Sequence, residues 1–160
     1  VNNAGVLLTG NLFVTNSTTV SDKDIKETFQ TNLFSVISLT QALLPLIKKS
    51  EAGRIVNVST ILSSLTLHTT ENSPIAPAKE FAYNASKTAL NAFTIHLALE
   101  LKDTNIKVNS GHPGWVKTEL GGPNAPMEVK DSYETSLYLA TLDKDGPSGG
   151  LFHKEETLPW

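Results

Sequence analysis

Gly53-Arg54-Ile55-Val56-Asn57-Val58-Ser59-Thr60 is the stretch whose reading decides the fold. It is short, rich in β-branched residues and bounded by Gly53. That pattern predicts a strand buried on both faces, the kind found in parallel sheets. Upstream, Ser21 is a good N-cap, and Asp22, Asp24 and Glu27 place negative charge in the first turns of a helix. Apolar residues follow at Ile25, Phe29, Leu33, Val36, Ile37, Leu43, Leu44 and Ile47, near helical spacing. Pro45 is expected to end or kink that helix, because it lacks an N–H donor. Downstream, residues 61–79 show no period and read as a long loop, and loops of that length in compact domains tend to be functional.

A second long helix is predicted from Phe81 to Lys102, with Ala85, Ala89, Ala92, Phe93, His96 and Leu97 along one stripe. Ile106-Lys107-Val108-Asn109 reads as a strand, and the Pro113-Gly114 break opens a loop over 111–127. Residues 128–142 read as a helix and Gly150-Leu151-Phe152-His153 as a last strand. Val1 to Gly5 reads as a strand end entering a turn, and 6–20 as loop. Strands and helices in alternation predict an α/β fold on a parallel sheet.

Composition narrows the function. The 160 residues contain no cysteine, which excludes disulfides, Cys-ligated zinc and thiol catalysis. This fits a reducing cytoplasm. The formal charge of −3 comes without a Lys/Arg cluster, so neither nucleic acid nor an anionic membrane is an expected partner. No uninterrupted apolar run reaches the ~20 residues that span a bilayer. His68, His96, His112 and His153 are scattered, so no metal site is expected; His96 reads as packing or surface, and His112 as fixing the Pro113-Gly114 turn by a hydrogen bond. The sequons at Asn16, Asn57 and Asn84 read as coincidence, Trp115 and Trp160 as wall and packing residues, and no G-x-S-x-G elbow suggests a serine hydrolase.

The chemistry centres on Tyr83-Asn84-Ala85-Ser86-Lys87. Four positions apart on a helix, Tyr83 and Lys87 share a face. An ammonium beside a phenol favours the phenolate, which would lower the phenol's pKa from ~10 towards neutrality. Such a tyrosine can give or take the proton that carbonyl reduction and alcohol oxidation require.

Several motifs, in this order, resemble the short-chain dehydrogenase/reductase family, in particular its carbonyl-reductase-like members. They are Asn2-Asn3-Ala4-Gly5, Thr31-Asn32, Ile55 to Thr60, Tyr83 to Lys87, and His112-Pro113-Gly114-Trp115-Val116-Lys117-Thr118. The resemblance covers essentially the whole chain. It implies a Rossmann-type doubly wound parallel sheet with flanking helices, NADP or NAD as cofactor, and hydride transfer to or from a small carbonyl or alcohol substrate. Tyr83 would be the acid/base. Lys87 would hold the nicotinamide ribose and lower the Tyr83 pKa. Asn32 would anchor a relay water, and Thr60 would polarise the carbonyl, with Ser59 as the alternative. Asn3, Ala4, Gly5, Pro113, Gly114, Val116 and Thr118 would shape the cofactor site.

Three departures from the family pattern stand out. Thr60 replaces the usual second serine. Thr60 and Tyr83 lie 23 positions apart, a longer gap than usual, and in relatives so lengthened the insert can block the customary dimer face; monomer and homo-oligomer both stay open. The Gly-rich pyrophosphate turn is absent, so the chain reads as one partial dinucleotide-binding domain, residues 1–160, with the N-terminal third expected before Val1. Such a chain is expected to fold poorly alone, with an open sheet edge. A non-catalytic dinucleotide-binding relative and an inactive truncated product are the alternatives to an enzyme.

Overall fold

The computed structural model describes residues 1–9, 13 and 15–160. Of the loop expected over 6–20, residues 10–12 and 14 lie outside the described residues. Among the described residues the sheet has four strands: β1 (Arg54–Val58), β2 (Lys107–Gly111), β3 (Leu151–His153) and β4 (Glu156–Leu158), in that spatial order. β1, β2 and β3 run parallel, with Ile55 opposite Val108 and Ser110 opposite Leu151. Asn2 adds a parallel bridge to Asn57 on the far side of β1.

The sheet is covered on both faces, as alternation along β1 requires. Ile55 points to one face and packs with Val108, Leu97, Leu101 and Ile47. Its neighbour Val56 points to the other face and packs with Leu139 and Phe152. The first face carries α1 (Asp22–Phe29), α2 (Ser35–Ile47) and α4 (Phe81–Glu100). The second carries α5 (Glu134–Ala140). A fifth helix, α3 (Leu65–Thr69), is short. The architecture is therefore the doubly wound α/β sheet.

Four expectations need correction. First, β4 turns back antiparallel on β3, making the sheet mixed. Its sequence, Glu156-Thr157-Leu158, is half-polar and too short to signal a strand. Second, the 61–79 segment is not all loop. A 3-10 turn at Ile61–Ser63 is capped by the Thr60 hydroxyl, and α3 is capped by Ser64. These caps are local hydrogen bonds that periodicity does not detect. Third, the helix carrying Pro45 continues to Ile47. Proline so near the C-terminal end costs one hydrogen bond of the last turns and stops nothing. Fourth, the stripe read on α4 packs only in part, through Ala89, Phe93 and Leu97. Ala92 and His96 are exposed, while Ser86, Lys87, Asn91 and Thr94 are buried beside Leu90 and Leu97.

That inner face is polar because it is hydrogen-bonded to the strands beneath it. Thr94 accepts from Asn57 Nδ2 at 2.9 Å and meets Ser110 Oγ at 2.9 Å. Ser59 donates to Asn91 Oδ1 at 2.8 Å, and Asn91 Nδ2 donates to Ser63 at 2.6 Å. Buried polar groups paired this way avoid the desolvation cost of orphaned ones.

Between α1 and α2 the chain makes one π-helical turn, Gln30–Phe34, in which Ser35 N–H reaches back to Gln30 O. The composite run Asp22–Ile47 is, by length and composition, long and apolar enough to cross a membrane, although no uninterrupted apolar run is. Here Leu33 and Val36 of this run pack against Leu90 of α4.

Candidate active site

A cavity of about 750 Å³ opens at the carboxyl ends of β1 and β2, within the usual range for small-molecule sites and at the edge where parallel sheets bind ligands. Four parts of the chain bring the expected residues to it. Asn3 and Gly5 come from the N-terminal turn, Thr60 from the end of β1, and Tyr83 and Lys87 from the first two turns of α4. Pro113, Gly114, Val116 and Thr118 come from the loop after β2. Ala4 does not line the cavity.

Lys87 is 3 % exposed, and its Nζ donates to Val58 O at 2.8 Å. Burial lowers its pKa to about 8. Tyr83 is 8 % exposed. Burial raises its pKa to about 12, and a hydrogen bond with the Thr60 side chain only partly offsets the rise. The expected lowering of the phenol by Lys87 is therefore not met. Both groups lose water on burial, and that outweighs any gain the phenolate takes from the ammonium.

Thr60 and Ser59 take opposite sides, as successive residues at a strand end must. The Thr60 side chain meets the Tyr83 phenol. The Ser59 hydroxyl is engaged inward by Asn91 and Ser63.

Asn32 lies behind the cavity rather than in its wall and is fully buried. Its Nδ2 donates to Val6 O at 3.0 Å and to Ser86 Oγ at 3.0 Å, and its Oδ1 accepts from Val6 N–H at 2.8 Å. Both amide hydrogens are thus taken, and the side chain fastens the N-terminal turn to α4. Gly5 sits in that joint. A Cβ there would stand 3.3 Å from Lys87 Nζ and 3.4 Å from Asn32 Oδ1.

His112 departs from its expected role. Its carbonyl, not its ring, fixes the loop, accepting from Thr135 Oγ1 at 3.0 Å and facing His153 Nδ1 at 2.9 Å. The ring's Nδ1 is buried without a partner. Burial, with His153 close by, lowers its pKa to about 4. Trp115 lines the cavity and donates from Nε1 to Gly121 O at 2.7 Å.

Two wall segments were not assigned to the site residue by residue. Pro74, Ile75, Pro77 and Ala78 come from the 61–79 segment, and Val129 and Tyr133 from just before α5. Ile75 and Ala78 pack directly with Tyr83 and Leu62. The length of the 61–79 segment marked the first group as a functional loop without placing it in the wall. Nothing in the sequence pointed to the second.

The donor set fits the nicotinamide half of a dinucleotide. An ammonium, an Asn amide and the Thr118 hydroxyl face one cavity, and the missing side chain of Gly5 leaves the ground beside Lys87 open. Gly114 holds φ +100°, a left-handed conformation that favours glycine, and a Cβ there would come within 2.7 Å of Met127 Cε.

Residues 1–128 match the family model of the short chain dehydrogenases, and the chain belongs to that family of oxidoreductases. It is 29% identical to carbonyl reductase (NADPH) 1 of Mus musculus, over all of this chain and 69% of that protein. Among solved structures, the NADPH-bound carbonyl reductase from chicken fatty liver superposes with a TM-score of 0.82 at 26% identity, over 99% of this chain and 64% of that one. The carbonyl reductase Sniffer of D. melanogaster gives 0.76 at 31%, over 91% and 61%. The chain thus spans about two-thirds of the length of these relatives.

Proposed function

We propose that the protein is an NAD(P)-dependent carbonyl reductase in which Tyr83 is the proton donor. The observation that carries this reading is the convergence of Tyr83, Lys87, Thr60 and the Pro113-Gly114 loop on one cavity. A phenol whose pKa lies near 12 is protonated throughout the neutral range. It therefore carries the proton that a carbonyl oxygen takes up on reduction. The Thr60 hydroxyl next to it supplies a second donor to the carbonyl oxygen. Together they stabilise the negative charge that develops there.

When bound, the reduced nicotinamide supplies the hydride. Lys87, with a pKa of about 8, is mostly cationic at neutrality and would hold the ribose hydroxyls. Asn3, Gly5, Pro113, Gly114, Val116 and Thr118 would bound the nicotinamide, with Ala4 supporting the turn from behind. Asn32 would fix the N-terminal turn beside Lys87 and anchor a proton-relay water there. NADP is favoured over NAD by the NADPH-bound and NADP-bound relatives.

The substrate side of the cavity is mainly apolar, with Leu62, Ile75, Trp115 and Leu120 in its wall. That lining suits an aryl or alkyl ketone or aldehyde. The test is turnover of the full-length protein with an aryl ketone and NADPH deuterated at the reduced ring carbon. The proposal predicts deuterium on the carbinol carbon. Cofactor binding without any labelled alcohol from a panel of ketones and aldehydes would instead favour a non-catalytic dinucleotide-binding relative.

A further inference from the structure

Glu80 stands three residues before Tyr83 and is only 1 % exposed. A carboxylate so deeply buried calls for partners. No cation pairs with it among the ion pairs of the described residues. Its Oε2 instead accepts the backbone N–H of Tyr83 at 2.6 Å, and its Oε1 lies 3.5 Å from Thr9 Oγ1, at the limit of a hydrogen bond. Its main-chain carbonyl accepts Asn84 N–H at 3.0 Å. Glu80 is thus the N-cap of α4, a position that short Ser, Thr, Asp or Asn side chains usually hold.

The location gives this cap its meaning. Tyr83 is the third residue of α4, in the turn whose N–H groups have no intrahelical acceptor and which frays first. Lys87, one turn on, is held by regular helix. The tyrosine backbone is gripped at both ends: Glu80 takes its N–H, and Ser86 Oγ donates to its carbonyl at 2.7 Å. Ser86 is in turn held by Asn32. A charged acceptor gives a shorter and stronger bond than a neutral one, and the helix dipole favours negative charge there. Burial raises the Glu80 carboxyl above its ordinary value, and the Tyr83 N–H pulls it back.

We infer that Glu80 is a positioning residue for Tyr83: its buried carboxylate clamps the tyrosine's N–H and fixes the helical turn that aims the phenol into the cavity. The inference rests on Tyr83 being the proton donor, as proposed above. It assigns Glu80 no contact with substrate or cofactor.

The test compares Glu80→Ala, Glu80→Gln and Tyr83→Phe in the full-length protein. It reads amide hydrogen exchange at Tyr83, kcat for an aryl ketone and KM for NADPH. Glu80→Ala is expected to speed exchange at Tyr83 about tenfold. It should lower kcat by about tenfold or more, since small misplacements of a reacting group are costly, and leave KM for NADPH within about twofold. Glu80→Gln keeps an oxygen acceptor without the charge and should fall between parent and Ala in both exchange and kcat. A folded Ala variant with parental exchange and kcat overturns the inference, and so does a loss shared equally by kcat and the NADPH KM. If the Ala variant does not fold, the Gln variant decides, and parental values in both readouts overturn it. Undiminished turnover by Tyr83→Phe would sink the functional reading instead, while the exchange data would still judge the clamp.

Discussion

Tyr83 and Lys87 are displaced from their ordinary pKa values in opposite directions by one cause, loss of water. Their spacing was readable as a shared helix face, but the direction of the tyrosine's shift was not. A spacing rule sees the neighbouring ammonium and does not see the Ile75 and Ala78 side chains that bury the ring. Thr60 illustrates the same limit. Its hydroxyl could be placed at a strand end, yet only the packing shows that Ser59 is taken inward while Thr60 meets Tyr83. If Thr60 polarises the carbonyl, Thr60→Val should lower kcat/KM for a ketone by about 100-fold, the scale of losing one well-placed donor. Thr60→Ser should stay within about threefold of the parent. Equal activity of the Val and Ser variants would remove Thr60 from the mechanism.

His112 yields a prediction of stability at the same scale. Its ordinary pKa of 6.5 falls to about 4 in the fold. Between those values the unfolded chain binds the proton and the folded chain does not. Stability therefore rises with pH across that window and is lost as pH falls from 6.5 towards 4. Thermal melts of the parent and of His112→Phe, compared across pH 4 to 7, should show a shallower slope for the variant. Parallel slopes would mean that the ring is not the buried neutral group described.

At the scale of elements, the helices and strands that periodicity marks strongly are present, and those set by local hydrogen bonds were not legible. The β-branched run at 54–58 and the long helix from Phe81 formed as read. The 3-10 turn at 61–63 and α3 depend on the Thr60 and Ser64 caps, and β4 on pairing with β3, none of which leaves a hydrophobic period. On α4 apolar spacing marked only part of the buried face, because Ser86, Asn91 and Thr94 are satisfied by partners distant in sequence. The loop after β2 was legible through Pro113 and Gly114, although its left-handed glycine was not. Gly114→Ala would force a Cβ into Met127 at φ +100°. It should lower stability by about 1–3 kcal/mol, seen as a reduced Tm. It should also raise the NADPH KM more than it lowers kcat. An unchanged Tm would mean that the loop accommodates the side chain by shifting.

At the scale of the molecule, a doubly wound sheet brings the N-terminal turn, the end of β1, the start of α4 and the loop after β2 to one edge. This is why motifs spread over more than a hundred residues could be read as one site before any contact was known. The apolar wall contributed by residues 74–78 was not readable as a wall, because its position follows from the path of an irregular segment. The most direct measurement of the whole account is the single-turnover rate of ketone reduction by Tyr83→Phe beside the parent, at saturating NADPH. A loss of at least about 100-fold, with NADPH affinity retained, is expected. A Phe variant that reduces the ketone at the parental rate would contradict it.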